Sequence, residues 1–459
     1  MHGHDDDNGD PRSQQCGWNL DGISGLESTG YLTVFEGRFT QAGTEHIECQ
    51  KIKYNTIRVG GTVKIAERIS RLGTETAFAV SVEAAEFAAK GNKVYPFHLG
   101  DMNIITPNTV MQAAVKAMKS GKTGYCPNAG IPQLREALAA DVSASHGIHY
   151  SMENVAIQPG GKPTIGKFIQ ALMDPGDEVL YPNPGYPIYE SQIEFHGGKV
   201  LPYSYLEGNE NFEIDIDMFA RQISPRTKFV ILNDLQNPTG AECSKAEFEK
   251  IAELVRKHDL YVLCDEAYFD IRYEGKSTSF ASLPGMADRC VILYTFSKKF
   301  AMTGWRLGAT IGPKEIIDVI AKLNVNDESC SNHFIQYGAI KGLTADQREV
   351  EQILKTLKER RDTAVDILNS IVGIRCFRPN ATFYLYPNIT GAMKKKGFGS
   401  YDEFRRALLY ETGVSVCTRM HFGRPLEGEK NFYIRLAYSG IDTAEIKEGL
   451  EKVKEFFES

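Results

Sequence analysis

Three short stretches of this chain are apolar almost from end to end: KFVILN at Lys228–Asn233, YVLC at Tyr261–Cys264 and CVILY at Cys290–Tyr294. A strand with one wet face alternates apolar and polar residues, so strands that fail to alternate have both faces covered. Between the first two lies an amphipathic helical stretch, Phe248–His258. The same alternation is legible upstream. It runs through a strand at Asn154–Gln158, a helix from about Lys162, a strand at Glu178–Tyr181 and a helix at Tyr186–Phe195. Helices are also predicted over Asn108–Ser120 and Ile131–His146, the second with Pro132 in its first turn. Alternating strands and helices predict an α/β unit whose sheet is sandwiched between helices.

The flanks read differently. A long charged helix is predicted from Glu349 to Ile371, followed by short strands and helices at Ala381–Tyr386, Tyr401–Glu411, Phe432–Tyr438 and Thr443–Glu458, a second α+β unit. Before the alternating region, Val63 to Gly91 reads as helix. Ile65, Ile69 and Leu72, then Val82, Ala85 and Ala89, recur at helical spacing, and Gly91 is the stop. Residues 1–62 have no sustained helical period and open polar and acid-rich, unlike a secretory or mitochondrial leader. They are expected to be disordered, or translated upstream sequence rather than native protein.

Charge and composition exclude several classes. The net charge is −7 with no basic block, so neither nucleic acid nor an anionic membrane is an expected partner. No apolar stretch is long enough to span a bilayer. The nine cysteines are odd in number and none forms a CxxC pair, which points to free thiols in the cytoplasm rather than disulfides or a metal site.

The segment SKKFAMTGWRLG, Ser297–Gly308, carries the strongest chemical signal. A lysine just past a buried strand can form a Schiff base with an aldehyde cofactor. Arg306, eight residues beyond Lys298, can return a guanidinium to a phosphate, and Ser297 adds a hydroxyl. Asp265 in DEAYF ends the strand YVLC, the end at which parallel sheets place functional groups. PGGKPTI, Pro159–Ile165, puts glycines at a helix start, where exposed N–H groups suit phosphate. NPTG, Asn237–Gly240, is a turn after KFVILN. Arg435 sits in the otherwise apolar strand FYIRLAYS and requires a partner, for which a substrate carboxylate is suited.

Taken together, and in this order, these motifs resemble fold-type I pyridoxal-phosphate (PLP) aminotransferases, class I/II, especially the bacterial aspartate and aromatic amino-acid branch. The resemblance runs from about Val63 to the C-terminus. It implies a large domain, about 108–340, with a mixed, mostly parallel seven-stranded sheet flanked by helices. It also implies a smaller α+β domain made of 63–107 and 341–459.

It further implies that Lys298 carries pyridoxal 5'-phosphate and acts as general base. Asp265 would face the ring nitrogen, while Tyr268 and Asn237 would bond the phenolic oxygen and Tyr186 would stack on the ring. Gly161, Lys162, Ser297 and Arg306 would cradle the phosphate, helped by Tyr125 from a neighbouring subunit, and so the resemblance implies a homodimer with shared sites. Gly100, Tyr186, Asn237, Arg435 and Lys162 would meet the substrate. The expected activity moves an amino group from aspartate or a related or aromatic amino acid to a 2-oxo acid, with 2-oxoglutarate as acceptor. Where relatives read Gly-Glu-Pro-Asp-Phe this chain reads Gly100-Asp101-Met102-Asn103, and Pro163-Thr164 replace the usual Gln-Ala. The same scaffold also serves β-lyases, decarboxylases and cyclases, and non-catalytic sensor domains.

Overall fold

In the computed structural model, residues 63–73 and 77–459 are described. The expectation for residues 1–62 lies outside them. Seven strands form the main sheet: β1 (Val155–Gln158), β2 (Glu178–Pro182), β3 (Lys199–Tyr203), β4 (Thr227–Leu232), β5 (Tyr261–Asp265), β6 (Cys290–Thr295) and β7 (Gly308–Ile311). Their order is β1-β7-β6-β5-β4-β2-β3. β7 runs antiparallel to both its neighbours, and the remaining pairs are parallel.

The apolar runs explain themselves in this sheet. Val230, Leu232, Val262, Cys264, Cys290 and Ile292 join one buried cluster with the helices Pro132–His146 and Lys245–Lys257. Phe229, Ile231, Leu263, Val291 and Leu293 join another, with the helices Lys162–Leu172, Ile188–Phe195 and Lys314–Asp327. Each strand thus divides its residues between two helical layers with the two-residue period of the pleat.

A further core gathers the long helix Arg348–Asn369, the helices Tyr401–Thr412 and Thr443–Glu458, and Tyr95 and Phe97 from well upstream. Three short strands accompany it: β8 (Tyr384–Leu385), β9 (Cys417–Thr418) and β10 (Ile434–Ala437), with β10 between the other two.

Several sequence expectations are corrected. Instead of one helix from Val63, a short 3-10 turn spans Glu67–Arg71 and an α-helix spans Ala77–Ala89. Ile65, Ile69 and Leu72 are exposed. Polar and cation–π contacts attach this turn to the helix Ile188–Phe195: Gly73 N–H donates to Ser191, Arg71 donates to the Glu194 carbonyl, and Arg68 lies over Phe195. In the α-helix the buried residues are Val80 and Ala84, not Val82, Ala85 and Ala89. The helix expected from Tyr186 begins at Ile188. Pro187 disfavours helical backbone at the residue before it, which leaves Tyr186 in the preceding loop. In Ala381–Tyr386 only Tyr384–Leu385 forms a strand, because Thr382 takes a left-handed φ of 66°. Of the strand expected at Phe432–Tyr438, Ile434–Ala437 forms, and all four of its residues are buried.

Candidate active site

Functional groups converge at the C-terminal ends of the parallel strands, as crevice chemistry in open α/β sheets requires. Asp265 ends β5, Ser297 and Lys298 follow β6, Gly161 follows β1, Tyr186 follows β2 and Asn237 follows β4. They line a cavity of ≈ 590 Å³ together with Gly100, Lys162, Tyr268, Arg306 and Arg435. Tyr125, 90% exposed, is the one candidate that does not line it.

The floor is held by a chain of polar contacts. Asn233, just past β4, donates to the Asp265 backbone carbonyl at 3.0 Å and accepts from the Asn237 N–H at 3.1 Å. The NPTG turn is thereby fixed to the end of β5. The Asp265 carboxylate accepts from the Ala267 N–H at 3.1 Å and from the Tyr189 hydroxyl at 2.5 Å. Burial raises the Asp265 pKa, and those two donors pull it back. A buried carboxylate held this way fits a protonated ring nitrogen.

Beside it, Lys298 Nζ donates to the Gly100 carbonyl at 3.1 Å and lies 5.1 Å from the Phe383 ring centre. The hydroxyls of Tyr268 and Tyr384 are 2.8 Å apart. Burial, and then Tyr384, raise the Tyr268 pKa well above its usual value, so Tyr268 keeps its proton as a donor.

At one end of the cavity the donors suit a phosphate. Gly161 precedes the helix Lys162–Leu172, whose first N–H groups lack partners within the helix. Ser297 lies 2.9 Å from the Thr295 hydroxyl. Arg306, at φ 54°, donates to the Thr303 carbonyl. A Cβ at Gly160 would strike the Arg306 guanidinium, and one at Gly161 would strike Leu293 and Thr295, so this turn admits only glycine without displacement. The buried aspartate, the lysine and this anion cradle together fit PLP.

Arg435 supplies the opposite recognition element. It is 5% exposed, with its guanidinium carbon 4.6 Å from the Tyr384 ring centre and 4.7 Å from that of Phe422. It donates to Asn237 Oδ1 at 3.1 Å and to the His98 carbonyl at 2.6 Å, while its Nε has no partner among the described residues. Among the described residues none of its partners is a carboxylate. Burial, and next the Arg435 charge, lower His98 to about 4, so His98 stays neutral beside the guanidinium.

Sequence reasoning missed Tyr189, Asn233, Tyr384 and Phe422. Tyr189 had a signal, since it lies three residues after Tyr186, one helical turn on. Phe422 had none. It arrives on a loop brought over by contacts such as the Gly185 N–H to the Phe422 carbonyl and Arg419 to Asn183.

The profile of the family described as Aminotransferase class I and II matches residues 94–453. The aspartate aminotransferase of Geobacillus stearothermophilus is 33% identical over 400 residues, covering 86% of this chain and all of the relative. The probable aspartate/prephenate aminotransferase of Aquifex aeolicus is 31% identical and covers 86% of this chain and 98% of its own. The aspartate aminotransferase of Thermus thermophilus, solved with maleate, superposes with a TM-score of 0.78 at 29% identity, over 86% of this chain and all of that one. A match across the alternating sheet, the cavity and the C-terminal core makes this chain a member of the class I and II aminotransferase family, a PLP-dependent amino-acid transaminase of fold type I.

Proposed function

We propose that the chain transfers the amino group of L-aspartate, or of a related or aromatic L-amino acid, to 2-oxoglutarate. The observation that carries this reading is Arg435: a buried guanidinium with no carboxylate partner among the described residues, facing the same cavity as Lys298. A substrate α-carboxylate satisfies it through paired charge-assisted hydrogen bonds. Lys162 lines the same cavity and suits the distal carboxylate of a dicarboxylic substrate. The aspartate names of the relatives, and the dicarboxylate maleate with the Thermus protein, agree with that choice. Tyr186 and Phe422 in the lining also favour aromatic donors.

Bound PLP supplies an aldehyde that captures the amino group and a ring that takes up electron density as the α-proton leaves. The residues do the rest. Arg435 orients the substrate by its carboxylate. Lys298 Nζ would take the proton from the substrate α-carbon and hold it for return. Asp265 would hold the cofactor at its ring nitrogen and keep that nitrogen protonated, and Tyr268 and Asn237 would hold it at its phenolic oxygen. The backbone at Gly161 and Lys162, with Ser297 and Arg306, would hold the phosphate, leaving the Lys162 ammonium for the distal carboxylate, and Tyr125 would serve the phosphate of a second copy in a homodimer. Gly100 lines the substrate mouth, where its backbone would meet the substrate. Residues 108–340 act as the cofactor domain, and 63–107 with 341–459 as the smaller one.

The test is to incubate purified protein with PLP, a panel of L-amino acids and 2-oxoglutarate, and to follow glutamate. Glutamate formed from aspartate supports the reading, with kcat/KM for aspartate reduced about tenfold or more in Lys162→Ala. Ammonia or pyruvate without glutamate, or an equal loss for aromatic donors in Lys162→Ala, would contradict it.

A further inference from the structure

Cys126 follows Tyr125 directly and meets Cys330, a cysteine 204 residues further along the chain. The Cys126 N–H donates to Cys330 Sγ at 3.5 Å. The Cys126 thiol donates to the Ser331 carbonyl at 3.4 Å and accepts from Gln336 Nε2 at 3.2 Å. Cys330 is also a direct hydrogen-bonding neighbour of that thiol. The two segments are fastened along their length. The Ile131 N–H donates to Gln336 Oε1 at 2.8 Å, Asn324 donates to the Asn128 carbonyl at 3.0 Å, and His333 Nδ1 lies 3.2 Å from the Gly124 carbonyl.

Both residues are free thiols and only half-buried. The other neighbouring pair, Cys264 and Cys290, is buried in β5 and β6, out of reach of any oxidant. Sulfurs already in hydrogen-bond contact need only side-chain rotation to reach the ~2 Å of a disulfide.

We propose that Cys126 and Cys330 are a redox modification site: hydrogen peroxide joins them in a reversible disulfide that displaces the Tyr125 segment and slows the enzyme. Burial pushes the Cys126 thiol up to about 11 and keeps it protonated, so peroxide reacts first at Cys330. The Cys330 sulfur forms a bond to one peroxide oxygen, the O–O bond breaks, and the other oxygen leaves as water. The product is a sulfenic acid. With Cys330 oxidised, its charge no longer opposes a Cys126 thiolate, which the Gln336 N–H supports. Cys126 then attacks the Cys330 sulfur; the S–S bond forms, the S–O bond breaks, and a second water carries off the Cys126 proton. Two thiols and one peroxide thus give one disulfide and two waters, the sulfurs losing two electrons that the peroxide gains. The new bond draws Cys126 off Gln336 and Ser331 and moves its neighbour Tyr125. The bond stands on the geometry; the slowing rests on the role proposed for Tyr125.

The test treats the PLP-loaded full chain with hydrogen peroxide, then digests it with trypsin without reductant. The expected product joins residues 123–135 to residues 323–341, is two hydrogens lighter than the two peptides together, and comes from protein that runs as a single chain when denatured. Transaminase activity falls about tenfold, within the loss of about 10²-fold that a 1 Å misplacement can cause, and dithiothreitol restores it. Cys126→Ser and Cys330→Ser each keep the untreated activity and lose the reversible response. Should either variant not fold, the peptide map and the recovery with dithiothreitol in the parent chain decide. Failure of these peptides to join, a disulfide between two copies, or joined peptides with unchanged activity overturns the proposal. If Tyr125→Phe is fully active, the role of Tyr125 falls; if Tyr125→Phe is impaired and peroxide leaves the parent chain untouched, the disulfide alone is excluded.

Discussion

At the scale of single residues, the account turns on side chains that burial makes expensive unless something answers them. Arg435 is the sharpest case. Its replacement by Leu is expected to lower kcat/KM for amino acids by roughly 10²- to 10³-fold, the cost of losing the buried charge proposed to bind the substrate carboxylate. Steady-state kinetics check this, and a loss below about threefold would remove Arg435 from the site. His98 gives a pH prediction. Its folded pKa, near 4, lies below the unfolded 6.5, so the unfolded chain binds more protons between those values. Stability from this group is complete above pH 6.5 and is lost as pH falls toward 4. Urea melts across that window should show a shallower pH slope in His98→Gln than in the parent chain. Residue-level chemistry was the most legible part of the sequence. Lys298, Asp265 and Arg435 each stand at the end of, or inside, an apolar strand, where a charge demands a reason. Tyr384 was not legible, because an aromatic residue among aromatics reads as core. Its meeting with Tyr268 joins segments 116 residues apart.

At the scale of elements, the strands buried on both faces announced themselves, and the exceptions have local causes. β7 (GATI) escaped notice because it is short and opens with Gly308, yet that glycine is required: a Cβ there would strike the backbone of Gly160 and Gly161. Gly308→Val should therefore displace the phosphate turn and weaken PLP retention about tenfold or more, read by equilibrium dialysis, beyond a loss of about 1–3 kcal/mol in stability. The helix Lys314–Asp327 was also missed. It is tied to β1 by Asn324, wholly buried, which accepts from Lys167 at 2.8 Å and from Gln158 at 3.2 Å and donates to the carbonyls of Asn128 and Ile157. Asn324→Leu leaves the Gln158 amide and the two carbonyls unanswered, while Lys167 keeps Glu328, and should cost about 2–4 kcal/mol in urea denaturation. The exposed apolar residues of the 3-10 turn at Glu67–Arg71 show the converse failure. Helical spacing promised a buried face that the fold does not provide there.

At the scale of the whole molecule, the order of motifs carried the fold further than any single stretch did. The mixed seven-stranded sheet follows from that order, whereas the joining of Tyr95 and Phe97 to the C-terminal core depends on long-range packing that no local pattern encodes. The exposure of Tyr125 on the single chain belongs to this scale too. If it serves a second copy, Tyr125→Phe and Lys298→Ala chains, each impaired alone, should regain activity on unfolding and refolding together, because a mixed dimer rebuilds one intact site. No gain on mixing would place Tyr125 outside catalysis. The most direct test of the central claim is the identity of the lysine that holds the cofactor. PLP-loaded protein reduced with borohydride and digested should carry the cofactor mass on the peptide containing Lys298, and on no other. A label on a different lysine, or a chain that takes up no PLP, would contradict the account.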